Sequence, residues 1–232
     1  MKAPYILKIK KENGRSGVKR KIITAVGGSA ADPPHKGHLA VLEKLYLSGL
    51  FDRIIWIISG DRQDKRIRVC PNDRIAMTEL MVKRKMRAGS YPDLVLLYDG
   101  IYQRNITTID WLENILPGRY PGEEFHWFTG SDSVIPRREL GGRSEIEAKW
   151  ADGPRLFYHF PFIVVERALY PLEGLGLPAN FMIMPGSVRD ISSSNIRRLI
   201  ADGKRFEHLV SKPVADYVKR HGLYGYGEEK AI

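Results

Sequence analysis

Short apolar runs and amphipathic segments alternate along most of the chain. The apolar runs have the length and β-branched content of buried strands, and they lie at 21–26, 53–58, 94–98, 125–129, 162–165 and 181–184. Segments with apolar residues at helical spacing separate several of them, at 39–46, 72–86 and 108–116. Strands buried on both faces that alternate with helices are typical of a parallel sheet. We therefore predict an open α/β fold, whose ligand sites lie outside the carboxyl ends of the strands.

The end of the chain is predicted to be helical. A helix over 192–202 would stop at Gly203, because glycine suits the left-handed position that follows a helix. Ser211 could cap a closing helix that has Pro213 in its first turn. The segment 136–155 is the least patterned part of the sequence, and we predict a mobile loop there.

Length and composition fit a single folded domain with one sizeable core. The 232 residues are 43% hydrophobic and 28% charged, which excludes a disordered chain. We expect one domain over 21–226 with its helical part at 191–226, a basic extension over 1–20 whose alternating residues predict a β-hairpin, and a tail over 227–232.

The apolar runs, the cysteine content and the net charge also indicate where the protein is located and what kind of partner it binds. No apolar run approaches the ~20 residues of a membrane-spanning helix, so we expect a cytoplasmic protein without a membrane partner. The single cysteine, Cys70, excludes an internal disulfide and any Cys-x-x-Cys motif. A formal net charge of +10 favours a polyanion, which could be nucleic acid, an acidic membrane surface or a substrate with several phosphates.

The segment from Gly27 to His38 has the features of a phosphate site. It follows the first predicted strand, contains two prolines that stiffen it, and leads into a helix near Gly37 whose free amides would face the strand end. His35 and His38 are three residues apart, so both could donate hydrogen bonds to phosphate oxygens from one helix face. The alternatives are ordinary loop and helix histidines, or a metal site, for which no third ligand recurs nearby.

A second candidate phosphate site begins at Asp190. The serines at 192–194 precede a predicted helix, and serines at this place are most often plain N-caps. Arg197 and Arg198 lie in the first turn, where their charges oppose the helix dipole and would add to the attraction for an anion. We predict that the serine hydroxyls, the turn amides and Arg197 bind the β- and γ-phosphates of ATP.

A third candidate ends the strand at 125–129. Gly130 would let the backbone approach adenosine, and Asp132 could accept hydrogen bonds from a ribose. Alternatively, Asp132 is a turn or cap residue.

Together these segments resemble the motifs of the nucleotidyltransferases that carry His-x-Gly-His. Gly27 to His38 is similar to their first motif, and 191–197 is similar to their second, Ile-Ser-Ser-Thr-x-Ile-Arg. The segment at 108–112 and the closing residues 214–224 are similar to the nicotinate or nicotinamide mononucleotide adenylyltransferases of NAD synthesis. The resemblance covers about residues 21–226, and it implies a Rossmann-like open parallel sheet of the nucleotidyltransferase fold.

The resemblance also implies a reaction and a set of site residues. The reaction is transfer of AMP from ATP, accompanied by Mg²⁺, to a pyridine mononucleotide with release of pyrophosphate; no protein metal site is implied. The implied phosphate-binding residues are His35, His38, Ser192, Ser193 and Arg197, of which His35, His38 and Arg197 are catalytic. Those around adenosine are Gly28, Ser29, Gly130 and Asp132, and those at the acceptor are Thr107, Thr108 and Trp150. Trp150 is alternatively a core residue.

Three departures from the family pattern leave the acceptor open. The first loop holds Ala30-Ala31 where a phenylalanine is usual, residues 59–66 replace a Pro-Pro-His-Lys segment that helps to bind the acceptor, and the basic residues 1–20 precede the usual start. The basic composition favours nicotinate over nicotinamide. The alternatives are another adenylyl- or cytidylyltransferase, such as a phosphopantetheine adenylyltransferase, and a non-catalytic nucleic-acid-binding protein, although we expect no nucleic-acid partner.

Overall fold

The computed structural model describes residues 20–60, 67–87, 93–102 and 106–227. The β-hairpin predicted near the start, the segment 61–66 and the tail beyond 227 lie outside the described residues. The division into an extension, one domain and a tail therefore stays a prediction.

Six parallel strands form one sheet with the order β3-β2-β1-β4-β5-β6. Their bounds are β1 (Ile23–Ser29), β2 (Arg53–Ile58), β3 (Leu94–Leu97), β4 (Glu124–Gly130), β5 (Phe162–Arg167) and β6 (Phe181–Val188). In the register, Val26 of β1 lies opposite Ile55 of β2 on one side and Trp127 of β4 on the other. This sheet confirms the predicted α/β class and all six predicted strands.

The strand order places the topological switch point beside β1. The chain first adds β2 and β3 on one side of β1 and then returns to add β4, β5 and β6 on the other. The connections that leave β1 and β4 therefore diverge to opposite faces, which opens a crevice at the carboxyl ends of these two strands.

Helices cover both faces of the sheet. They are α1 (Lys36–Ser48), α2 (Pro71–Arg87), α3 (108–119, with a π-helical middle at Trp111–Ile115), α4 (Glu145–Lys149), α5 (Gly153–His159), α6 (Ser193–Ala201) and α7 (Lys212–Arg220). Ala25 and Val26, neighbours in β1, are both fully buried but belong to different apolar clusters. The cluster of Ala25 includes residues of α1, α2, α6 and α7, and that of Val26 includes residues of α3, α4 and α5, because successive strand residues point to opposite faces.

The prediction of a loop over 136–155 is wrong. This segment contains a 3₁₀ turn at Arg138–Leu140, all of α4 and the start of α5. Helices of five and seven residues are too short to show a helical period in the sequence. A readable signal was present at Ser144, which caps α4 and forms a capping box with Glu147.

Of the two helix ends that the sequence predicts, one is confirmed and one is confirmed only in part. Gly203 follows α6 with a φ of 66°, so the predicted left-handed glycine is confirmed. Ser211 occupies the N-cap position of α7, but its side chain makes no capping hydrogen bond, so that part of the prediction is wrong. The proline in the first turn of α7 supplies a preset φ instead.

Candidate active site

Two histidines shape the start of α1. His35 is the N-cap, and its Nδ1 accepts a hydrogen bond from the backbone N–H of Gly37 at 3.2 Å. The Nδ1 of His38 accepts from the backbone N–H of His35, also at 3.2 Å. Because each Nδ1 serves as an acceptor, each neutral ring carries its proton on Nε2 and can donate from there.

Burial keeps His35 neutral. Only 3% of its surface is exposed, and the pKa of its imidazole is held well below the usual 6.5 by desolvation first and by the nearby His38 and Arg167 second. Gly37 permits this packing, since a Cβ at this position would lie 2.9 Å from Nδ1 of His35. The two histidines thus form a pair of donors at a helix N-terminus, the end at which anions are stabilised.

The N-terminus of α6 lies against the same loop. Ser193 Oγ donates to the backbone carbonyl of Pro33 at 2.9 Å, and Arg197 Nη1 donates to that of Asp32 at 2.6 Å. Ser192 is an N-cap that accepts from the backbone N–H of Asn195, which agrees with the ordinary interpretation of a serine at this place. Two segments about 160 residues apart in sequence therefore meet directly.

The end of β4 carries a carboxylate that is paired with a cation. Asp132 follows the strand in a 3₁₀ turn, and its Oδ2 lies 3.1 Å from Nη1 of Arg167. The same guanidinium lies 3.5 Å from Asp190, and the backbone N–H of Arg167 donates to Ser131 Oγ. Asp132 is thus both a turn residue, the alternative raised above, and a half-exposed carboxylate at the crevice.

The acceptor residues predicted on the opposite side are engaged in local contacts. Thr107 is the N-cap of α3 and forms a capping box with Asp110, to which its hydroxyl also donates at 2.6 Å. Trp150 packs edge to face on Trp127, with ring centroids 6.4 Å apart, and borders Phe162 at 6.5 Å. Trp150 is half-buried, so one side of its ring contacts the core while the residue also lines the crevice.

One cleft of about 900 Å³ brings the predicted residues together. It opens at the carboxyl ends of β1 and β4, and the twelve predicted residues that line it are Gly28, Ser29, His35, His38, Thr107, Thr108, Gly130, Asp132, Trp150, Ser192, Ser193 and Arg197. Arg198, also predicted to add to the attraction for an anion, does not line the cleft, and its Nη2 donates to Asn195 Oδ1 at 2.9 Å. The prediction that Arg197 and Arg198 lie in the first turn of α6 is wrong, since they are its fifth and sixth residues. The individual roles of these residues stay predictions.

Comparisons with known proteins agree with this geometry. The sequence model of the cytidylyltransferase-like family matches residues 26–199, which include both motifs. The chain belongs to the cytidylyltransferase-like family. A protein of Chlorobaculum parvum, described as a probable nicotinate-nucleotide adenylyltransferase, is 30% identical over 87% of this chain and 98% of its own length. A protein of Thermus thermophilus with the same description is 29% identical over 85% of this chain and 96% of its own length.

A solved structure shares the fold of this cytidylyltransferase-like chain. The nicotinic acid mononucleotide adenylyltransferase of Plasmodium falciparum, solved in complex with NaAD, superposes with a TM-score of 0.73 and 19% identity over 90% of this chain and all of that one. The predicted family, the predicted nucleotidyltransferase fold and the predicted class of enzyme, a nucleotidyltransferase, are confirmed.

Sequence reasoning missed two residues that line the cleft, Arg167 and Asp32, and a third, Tyr224, that contacts Asp32. Arg167, Asp32 and Tyr224 are the most informative, since Arg167 joins two carboxylates and Tyr224 donates to Asp32 at 2.9 Å. A signal existed for Arg167, because it is a lone cation at the carboxyl end of an apolar strand. Tyr224 ends the closing segment that resembles the family, but nothing in the sequence indicated its contact with Asp32, which lies 192 residues away.

Within the described ranges, no group of three or more His, Cys, Asp or Glu side chains is placed to hold a metal ion. Two carboxylates that line the cleft are paired with cations, Asp132 with Arg167 and Asp32 with Arg197. In the same part of the chain, no helix is both long and apolar enough to cross a bilayer.

Proposed function

We propose that this protein transfers the adenylyl group of ATP to nicotinate mononucleotide and releases pyrophosphate, a step of NAD biosynthesis. The observation that carries the proposal is the meeting of two helix N-termini, those of α1 and α6, at the mouth of one cleft. Each terminus presents backbone amides, and the helices add His35, His38 and Arg197 as donors. This arrangement suits a triphosphate, whose charge is spread over several oxygens.

The reaction requires no general base. An oxygen of the acceptor's 5′-phosphate attacks the α-phosphorus of ATP, a new phosphorus–oxygen bond forms, and the bond to the bridging oxygen of the β-phosphate breaks. A phosphate monoester has a second pKa of about 6, so the nucleophile is largely dianionic at neutral pH. The protein therefore contributes positioning and charge stabilisation.

The donors are assigned according to where negative charge develops. We propose that Nε2 of His35 and of His38 donates to oxygens of the transferred and leaving phosphates, because both histidines are fixed through Nδ1. Arg197 and the amides at Ser192 and Ser193 bind the leaving pyrophosphate. Charge grows on this group as the bond breaks, so donors placed there favour the transition state over the bound substrate.

The nucleosides occupy the two sides of the cleft. We propose that Gly28, Ser29, Gly130 and Asp132 surround adenosine, and that Thr107, Thr108 and Trp150 contact the acceptor. Lys149 also lines the cleft beside Trp150, and its ammonium group supports an acceptor that carries a carboxylate. Mg²⁺ enters as part of the substrate, since ATP oxygens hold it and it retains several waters.

A comparison of acceptors tests the proposal. Purified protein is assayed for pyrophosphate release with MgATP and, in parallel, nicotinate mononucleotide, nicotinamide mononucleotide or phosphopantetheine. We expect turnover with nicotinate mononucleotide and a kcat/KM at least about tenfold lower with nicotinamide mononucleotide, the discrimination that one lost charged contact produces. If only phosphopantetheine were turned over, it would be the acceptor in place of nicotinate mononucleotide. If none of the three were turned over, the proposed reaction would be rejected.

A further inference from the structure

A buried carboxylate lies directly beside the proposed phosphate site. Asp32 is 2% exposed, and its Oδ2 lies 3.4 Å from Nη1 of Arg197. An uncompensated buried charge is unfavourable, and this charge would also repel the phosphates of ATP. Two further donors reach it, the hydroxyl of Tyr224 at 2.9 Å from Oδ1 and the backbone N–H of Arg68 at 3.0 Å from Oδ2.

The backbone at Tyr224 is unusual for a residue with a side chain. Its φ is 61°, in the left-handed region, and it follows Gly222 at 58° and precedes Gly225 at 79°. A glycine at 224 would form this turn without strain, whereas tyrosine forms it at a cost. The compensating gain lies in the side chain, which packs against the core beside α1, α2, α6 and α7 and ends on Asp32. Burial and the nearby Asp32 raise the pKa of Tyr224, so its hydroxyl remains a donor.

The geometry points to Tyr224 as a positioning residue for ATP, an inference that rests on the proposed role of Arg197. Arg197 Nη1 is shared between the backbone carbonyl of Asp32 at 2.6 Å and the more distant carboxylate. Tyr224 takes up part of the carboxylate's charge, which leaves the guanidinium available to phosphate. Without that hydroxyl, Asp32 would form a full ion pair with Arg197. The positive charge of Arg197 would then be neutralised and would no longer attract phosphate.

The first experiment compares two tyrosines of the same C-terminal region. Tyr224→Phe removes the hydroxyl from Asp32, and the control Tyr217→Phe removes a hydroxyl that donates to Asp73 at 3.0 Å, outside the cleft. We expect Tyr224→Phe to raise the KM for ATP about tenfold, as loss of a hydrogen bond to a charged group does, with the acceptor's KM within about twofold of wild type. Tyr217→Phe is expected to keep both constants. Equal behaviour of the two variants would overturn the inference.

A double-mutant cycle separates positioning from a structural role. Arg197→Lys keeps the charge but loses the planar fork, and we expect Tyr224→Phe to add less than about threefold to the KM for ATP in that background, because coupled residues are not additive. Independent, multiplicative effects would overturn the inference. Wild-type kinetics of Arg197→Lys alone would instead reject the proposed phosphate role of Arg197, so the two failures are distinguishable.

A second background covers the case in which Tyr224→Phe is too unstable to assay. Asp32→Asn removes the charge that Tyr224 compensates, and a neutral amide tolerates a missing donor better than a carboxylate does. We expect Asp32→Asn with Tyr224→Phe to bind ATP with the KM of Asp32→Asn alone. A further rise of tenfold in the double variant would show that Tyr224 acts by another route.

Discussion

The imidazole rings of His35 and His38 stack with their centroids 3.8 Å apart. Each ring has its Nδ1 committed to a backbone N–H at the start of α1, so each side chain caps the helix through Nδ1, and Nε2 is the donor that we propose for phosphate. A helix cap and the proposed pair of phosphate donors are therefore built from the same two residues. Because capping uses Nδ1 and the proposed phosphate contact uses Nε2, substitutions that replace only one of the two nitrogens can separate the two roles.

Substitution of His38 by Asn and by Gln should separate capping from catalysis. The amide of Asn can replace Nδ1 and that of Gln can replace Nε2, so His38→Asn keeps the cap and His38→Gln keeps a donor. We expect His38→Asn to lower kcat/KM by at least about 100-fold, the scale of one lost transition-state donor, with little change in melting temperature. His38→Gln should retain more activity and melt lower. The opposite order of activities would contradict the donor role of Nε2.

The stability of the protein should fall in acid because of His35. The folded state keeps the pKa of this imidazole well below 6.5, so the unfolded chain binds the proton more tightly. The contribution of His35 is therefore undiminished above about pH 6.5 and becomes increasingly unfavourable as the pH drops below that value. His35→Asn retains an acceptor for Gly37 and should flatten the decline in melting temperature between pH 8 and pH 5. The exposed His159→Asn is the control and should leave the slope unchanged.

Removal of the Arg167 charge should weaken ATP binding. Arg167→Gln leaves the carboxylates of Asp132 and Asp190 without the cation between them, beside a site for four negative charges. We expect a rise of about tenfold in the KM for ATP, on the order of one unscreened charge contact at the edge of a cleft. Arg119→Gln removes an exposed ion pair with Asp99 that is outside the cleft and should change neither KM. An unchanged KM for ATP in Arg167→Gln would exclude an electrostatic role for this residue.

A methyl group at Gly153 should disturb the acceptor side alone. A Cβ there would lie 2.0 Å from the backbone oxygen of Ile146, which also accepts from the N–H of Trp150. We expect Gly153→Ala to destabilise the fold by about 1–3 kcal/mol by overpacking. It should raise the KM of the acceptor while that of ATP stays constant, as steady-state kinetics with each substrate varied would measure. Gly176→Ala, where nothing lies within 4 Å, is the matched control.

Sequence reasoning succeeded where a signal is local. Strand β2, Arg53–Ile58, has its predicted bounds because its last five residues share one environment, buried on both faces. The two segments predicted to bind phosphate were recognised because glycines, histidines and serines cluster at strand ends, and the resemblance to a known family predicted that they act together. The order of the strands in the sheet could be predicted neither from the apolar runs nor from the motifs, because similar apolar runs do not indicate which strands lie side by side.

The missed features depend on contacts between distant segments. Nothing near Asp32 in sequence indicates that Tyr224 approaches it, because the tertiary fold alone brings the two residues together. Trp150 was ambiguous for a related reason, since its ring serves both the core and the cleft. The segment 136–155 was misassigned because its helices are fixed by caps and close backbone packing instead of by an apolar period.

The same cleft also provides a built-in optical reporter. The chain has four tryptophans, and all of them, Trp56, Trp111, Trp127 and Trp150, line the cleft. Their emission therefore originates from the walls of one site, and a purine or pyridine base bound there would quench it or shift its energy. Titration of either nucleotide can thus be followed without a label, and removal of Trp150 would show which part of the signal arises on the acceptor side.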